Sequence, residues 1–306
     1  MTTASKMMAQ PIFRFAPSPT GRLHLGHALS ALINRDMADR IGGSLLIRIE
    51  DTDLTRCRPE YTQAILDDLA WLGIVSNGPV LHQSAHLDVY RQAAARLLGM
   101  GLLYPCFATR QEVQAAAAPD AVDPDGAPLY PGLHRDLSSR EIADRTAACQ
   151  PFALRLDMAR AIDRARATAG DAAFAYTGFD EHFAPCQFRT DPARWGDVVI
   201  QRKETSASYH LAVVVDDARQ RVTHVVRGED LREATGIHRL LQVLLDLPEP
   251  LYHHHRLLLD TGGRKLSKRD GDAGLGRLRD QGITPDQVRS LVGLGVDKAL
   301  KPFTCL

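Results

Sequence analysis

Residues 13–27 read FRFAPSPTGRLHLGH, and the residues on either side of this stretch decide the fold. Ile12, Phe13 and Phe15 form a short apolar strand that runs into Pro17-Ser18-Pro19-Thr20-Gly21, a segment able to continue neither a helix nor a strand. Beyond it Leu29, Leu32, Ile33, Met37 and Ile41 recur at helical spacing, and Gly42-Gly43 stops that helix. Leu45, Leu46, Ile47 and Ile49 then make a nearly continuous apolar strand ending at Glu50-Asp51. Strand, loop, helix and a strand apolar on both faces form a parallel βαβ unit, so the fold class is α/β with a parallel sheet.

Working outward, a helix is expected over 58–74 with Pro59 in its first turn, and another over roughly 86–100. From about residue 104 the character changes: Ala115 to Ala118 lead into Pro119, Pro124, Gly126, Pro128 and Pro131. This reads as an insertion between halves of the sheet. The α/β pattern resumes with apolar strands at Leu211 to Val215 and Val222 to Val226, and with a helix over 231–247. The expected units are 11–103, the first half of the catalytic domain; 104–190, an inserted subdomain; 191–260, the second half; and 261–306, a basic loop with a short helical extension.

Composition bounds the class. Thirty-seven basic and 37 acidic residues give a formal net charge of zero, so any nucleic-acid footprint is a local patch rather than a global field. The apolar fraction is 44% and no apolar run is long enough for a membrane span. Five scattered cysteines argue against a disulfide framework, and the N-terminus lacks an apolar h-region. A cytoplasmic, monomeric protein without a membrane partner is expected.

Two motifs carry chemistry. His24 and His27 flank Gly26 where a loop enters a helix, and a helix N-terminus offers unpaired N–H groups and a positive dipole end to phosphate. Two imidazoles there can donate to phosphate oxygens as charge develops. Near the other end, Lys265-Leu266-Ser267-Lys268-Arg269 follows Gly262-Gly263, a basic loop suited to neutralising a polyphosphate. Taken singly, surface histidines or a metal pair explain the first motif, and a solvated basic loop explains the second.

Together they resemble the paired HIGH and KMSKS signatures of class I aminoacyl-tRNA synthetases, here HLGH and KLSKR. The strings RFAPSPTG, RIEDTD and VVRGEDL are similar to the glutamyl and glutaminyl branch, and the resemblance spans about residues 12 to 272. It implies a Rossmann-type nucleotide-binding sheet with an inserted subdomain resembling an acceptor-binding one. It further implies ATP with Mg2+ as co-substrate, and catalysis by His24, His27 and Lys268. The ATP site would be His24, Gly26, His27, Lys265, Ser267 and Lys268. The glutamate pocket would be Arg14, Phe15, Ala16, Pro17, Ser18, Glu50, Tyr209 and Arg227, with Tyr209 and Arg227 on or beside strands. Arginine suits a carboxylate and Glu50 an ammonium group.

Many relatives hold zinc in the insertion on a Cys-x-Cys pair, a tyrosine and a further cysteine. This sequence keeps Cys106 and Tyr130, has Ala108 at the second cysteine, and has His134 at the last position. Four ligands are the norm for structural zinc, so the set is incomplete and the chain is expected to fold without the metal. The chain ends at Leu306, soon after the basic loop. That matches the members of the branch without an anticodon-binding domain, which attach glutamate to the queuosine base in the anticodon stem-loop of tRNA(Asp). The alternatives are a short glutamyl-tRNA synthetase charging tRNA(Glu), and a non-catalytic synthetase-like binding protein.

Overall fold

The computed structural model describes residues 10–203, 205, 207–259 and 274–295. The chain runs β1 (Ile12–Phe15), α1 (Leu25–Arg40), β2 (Ser44–Ile49), α2 (Pro59–Trp71), β3 (Leu81–His82), α3 (Leu87–Gly99), β4 (Leu103–Cys106), α4 (Arg110–Ala116), α5 (Ser139–Ala147) and β5 (Ala153–Leu156). It continues through α6 (Met158–Ala169), β6 (Ala175–Phe179), β7 (Pro185–Arg189), β8 (Val199–Gln201), α7 (Tyr209–Arg219), β9 (His224–Gly228), α8 (Ala234–Leu245), β10 (Leu251–His255), α9 (Leu275–Asp280) and α10 (Pro285–Leu291).

Among the described residues the main sheet has seven strands in the order β3-β2-β1-β9-β10-β6-β7. Every pairing in it is parallel except β6 with β7. The chain leaves β1 toward β2 on one side and later enters β9 and β10 on the other. The β1/β9 junction is therefore the switch point, where open α/β sheets place a crevice at the carboxyl ends of their strands. Burial explains the apolar run of β2, in which Leu45, Ile47 and Ile49 are at most 3% exposed. Leu29, Leu32, Ile33 and Met37 of α1 share that core with Phe13 and Phe15. Gly42, at φ +63°, takes the left-handed turn that ends the first crossover.

Two expectations are corrected. Residues 211–215 are not a strand: they lie in α7, whose N-cap Ser208 accepts from the Leu211 amide. Leu211, Ala212, Val213, Val214 and Val215 are all buried, so the helix shows no polar face there and its valines mimic strand composition. Nor does the insertion run unbroken to residue 190. β6 and β7 belong to the main sheet, while β8 pairs with β5, and β5 with β4, in a separate antiparallel sheet. The insertion pattern, short strands among Pro and Gly, cannot show which sheet each strand joins.

Candidate functional site

A cleft of about 590 Å3 opens at the switch point. Its wall at the start of α1 is built by local rules. His24 is the N-cap, and its Nδ1 accepts from the Gly26 amide at 3.0 Å. His27 Nδ1 accepts in return from the His24 amide at 3.2 Å. Amides only donate, so both rings carry their proton on Nε2, a donor suited to phosphate oxygen. The rings lie 3.8 Å apart between centroids. A Cβ on Gly26 would sit 2.9 Å from His24 Cε1, so glycine permits the pair to close up.

The opposite wall is charged. Arg14 at the end of β1 donates through Nε to Asp217 Oδ1 of α7 at 3.1 Å. Arg48 of β2 is fully buried and donates to the same Asp217 oxygen at 2.7 Å and to Glu50 Oε1 at 3.2 Å. Burial pushes the Asp217 carboxyl up, but Arg14 and Arg48 outweigh it and hold it below the ordinary carboxylate range. Glu50 faces the cleft, and burial raises its carboxyl against the pull of Arg48 and Arg14. Two cations and two anions thus balance beneath the cleft floor.

Arg227, near the end of β9, is held differently. Its guanidinium donates to His254, His238 and Thr235, and among the described residues it forms no ion pair with a carboxylate. Tyr209 lines the same cleft, but as the first residue of α7 rather than on a strand; burial raises its hydroxyl pKa. Phe15, Ala16, Pro17 and Ser18 complete the lining beside β1. The structure therefore brings together Arg14, Phe15, Ala16, Pro17, Ser18, His24, Gly26, His27, Glu50, Tyr209 and Arg227 around one cavity. Lys265, Ser267 and Lys268 lie outside the described residues.

Sequence reading missed Arg48, Asp217, His238 and His254. A signal existed for the first two. Each is a charged residue inside an apolar run, LLIRIE and LAVVVDDAR, and a buried charge demands a partner. The histidines carried no such signal.

The metal candidates do meet, as hydrogen-bond partners of one another and of the backbone. Cys106 Sγ donates to Tyr130 Oη at 3.4 Å, and that oxygen also accepts from the His134 amide at 2.8 Å. His134 Nδ1 accepts from the amides of Phe107 and Ala108, both at 3.1 Å. The Arg155 guanidinium stacks 3.9 Å over the Tyr130 ring, and burial raises the Tyr130 hydroxyl away from the phenolate form. Ala108 packs into the same small buried cluster. With alanine at this position Cys106, Tyr130 and His134 supply at most three donors, so this set does not fit four-coordinate zinc. Protein purified without chelator is expected to carry substoichiometric zinc, and chelation is expected to leave its melting temperature unchanged. One zinc per chain, lost with unfolding on chelation, would overturn this.

Three comparisons bear on the site. Residues 12–299 match the family described as tRNA synthetases class I (E and Q), catalytic domain. The chain is 47% identical to a glutamyl-Q tRNA(Asp) synthetase of Rhodobacter capsulatus, over 92% of this chain and 100% of that protein. It is 38% identical to a glutamate–tRNA ligase of a Synechococcus strain, over 92% of this chain but 57% of that enzyme. Among solved structures it resembles a glutamate-tRNA synthetase from Elizabethkingia anophelis, with a TM-score of 0.67 at 28% identity. That match covers 86% of this chain and 53% of the other.

Proposed function

The chain belongs to the class I tRNA synthetases of the glutamate and glutamine branch, and on that premise we propose that it activates L-glutamate with ATP in the absence of tRNA and passes the glutamyl group to the queuosine base of tRNA(Asp). Members of the family are ATP-dependent ligases. The observation that carries the amino-acid assignment is the charge layout of the cleft. Five arginines and three carboxylates line the cavity, and of these Arg14, Glu50 and Arg227 stand at or just beyond the carboxyl ends of β1, β2 and β9. L-Glutamate presents the complementary set, two carboxylates and an ammonium group.

In this reading the glutamate α-carboxylate attacks the α-phosphorus of ATP in line, forming the mixed anhydride and displacing pyrophosphate. His24 and His27 donate Nε2–H bonds to phosphate oxygens, Lys268 adds a point charge, and Mg2+ accompanies the nucleotide. Positioning and electrostatics suffice, with no covalent enzyme intermediate. A cyclopentenediol hydroxyl of the modified base then attacks the glutamyl carbonyl and AMP leaves. The acceptor assignment is supported by the relative whose whole length is spanned at 47% identity, which bears the glutamyl-Q tRNA(Asp) synthetase name.

Two assays test the reading. Glutamate-dependent ATP–pyrophosphate exchange should proceed with no tRNA present; exchange that requires tRNA would remove the first half. Labelled glutamate should then transfer to queuosine-containing tRNA(Asp), and neither to its queuosine-free form nor to tRNA(Glu). Label on tRNA(Glu), or equal label on both forms of tRNA(Asp), would favour the ordinary glutamate–tRNA ligase reading instead.

A further inference from the structure

Arg14 and Arg227, both lining the cleft, differ in how they are held. Arg14 is ion-paired to Asp217, whereas every partner of Arg227 among the described residues is an uncharged acceptor. Arg227 Nε lies 3.3 Å from His254 Nε2, Nη1 lies 3.0 Å from His238 Nδ1, and Nη2 lies 2.6 Å from Thr235 Oγ1. A guanidinium has five N–H donors and no acceptor, so both facing ring nitrogens must be unprotonated. The His254 proton is thereby placed on Nδ1 and the His238 proton on Nε2. His238 Nε2 lies 3.3 Å from His210 Nδ1, which accepts that proton and leaves the His210 proton on Nε2. One tautomer therefore satisfies each of three histidines, drawn from α7, α8 and β10. Arg227, Thr235, His238 and His254 are all at most 4% exposed, so the frame is closely packed. Three of the five guanidinium N–H groups hold Arg227 in place, and the other two remain for a ligand.

We propose that His238 and His254 are positioning residues that hold Arg227 as a fixed cation without a carboxylate partner, and that this arrangement makes the cleft select an amino acid with an anionic side chain over its uncharged amide. The inference rests on the glutamate reading above. Had an aspartate or glutamate held Arg227, as Asp217 holds Arg14, the local charge would already be compensated and an incoming carboxylate would gain little over a carboxamide. A protonated imidazole would fail in the opposite way: it would lose the lone pair that accepts from Arg227 and repel the guanidinium.

The surroundings keep the rings neutral. Burial lowers the His238 pKa, and so do Arg227, His210, Arg14 and His254. Burial likewise lowers that of His254, followed by Arg227, Arg232, His253 and His255. Tyr209 packs edge-on against His238, and Tyr176 against His254. All the charges named are cationic, so the KM for glutamate should show no inflection near the ordinary imidazole value of about 6.5.

The test is amino-acid-dependent ATP–pyrophosphate exchange by the full chain, with glutamate and glutamine compared. His238→Leu removes the acceptor and should raise the KM for glutamate by about 10- to 100-fold, the scale of one hydrogen bond to a charged group. The KM for ATP and kcat should change little. His238→Gln restores an acceptor oxygen and should recover most of the loss. His238→Glu supplies the missing carboxylate and should reduce the preference for glutamate over glutamine by about 100-fold or more. Thermal melting checks that each variant folds, and if His238→Leu does not, the Gln and Glu variants decide. An unchanged glutamate KM in the Leu variant, or an unchanged preference in the Glu variant, overturns the inference while leaving glutamate activation intact. A wild-type chain that shows no glutamate-dependent exchange sinks the glutamate reading itself, and this inference with it.

Discussion

Asp217→Ala is expected to lower folding stability by about 3–5 kcal/mol, the usual cost of removing one partner from a buried ion pair. Its carboxylate accepts from Arg14 at 3.1 Å and from Arg48 at 2.7 Å, with side-chain exposures of 7%, 5% and 0% respectively. Alanine would remove the carboxylate shared by two buried guanidinium groups, leaving Arg48 its bonds to Glu50 and Gln220, and Arg48 Nε already lacks a hydrogen-bond partner. Urea denaturation followed by circular dichroism measures the effect. A loss under about 1 kcal/mol, the range of exposed pairs, would mean that the network contributes little. Arg140–Asp144 is a suitable control, with side chains 91% and 73% exposed and 3.9 Å apart, and Asp144→Ala should leave the transition where it is. Because Arg14 loses its anchor, the KM for glutamate should rise in any Asp217→Ala protein that folds.

Lys268→Ala is expected to slow glutamate-dependent pyrophosphate exchange by about 100- to 1,000-fold, the scale seen when one preorganised charge stabiliser is removed. The argument comes from the motif KLSKR and its resemblance to the KMSKS loop, since Lys268 lies outside the described residues. An ammonium group on a long stem can follow the polyphosphate as charge shifts toward the leaving pyrophosphate. The melting temperature should not change, which separates this variant from Asp217→Ala. Lys268→Arg should retain part of the rate, because it keeps the charge but alters the donor geometry. An exchange rate unaffected by the alanine change would sink the assigned role.

Short-range chemistry was legible in the sequence. His24, Gly26 and His27 span four positions, and the capping box they form depends on local backbone geometry alone. The parallel βαβ unit was equally legible, because Leu45, Ile47 and Ile49 leave no polar face for solvent. Arg14, Glu50 and Arg227 could be placed on one edge because each stands at or just beyond the carboxyl end of an apolar run. The reading of 211–215 failed because a helix buried on every side loses the 3.6-residue period and keeps only its composition, and valine-rich composition favours a strand.

Partner identity was beyond the sequence. Arg14 meets Asp217 across 203 positions and Arg48 meets it across 169. Nothing in the local pattern separates Asp217 from its neighbour Asp216, which turns instead to Gln83 and Tyr90. The frame around Arg227 draws its histidines from three elements, far apart in the chain. The sequence by itself determined which chemical groups are present and the ends of which strands carry them. Only the tertiary structure decided which arginine is neutralised and which is left charged. That depends on which side chains share a buried volume of low dielectric, and packing of distant segments alone sets it.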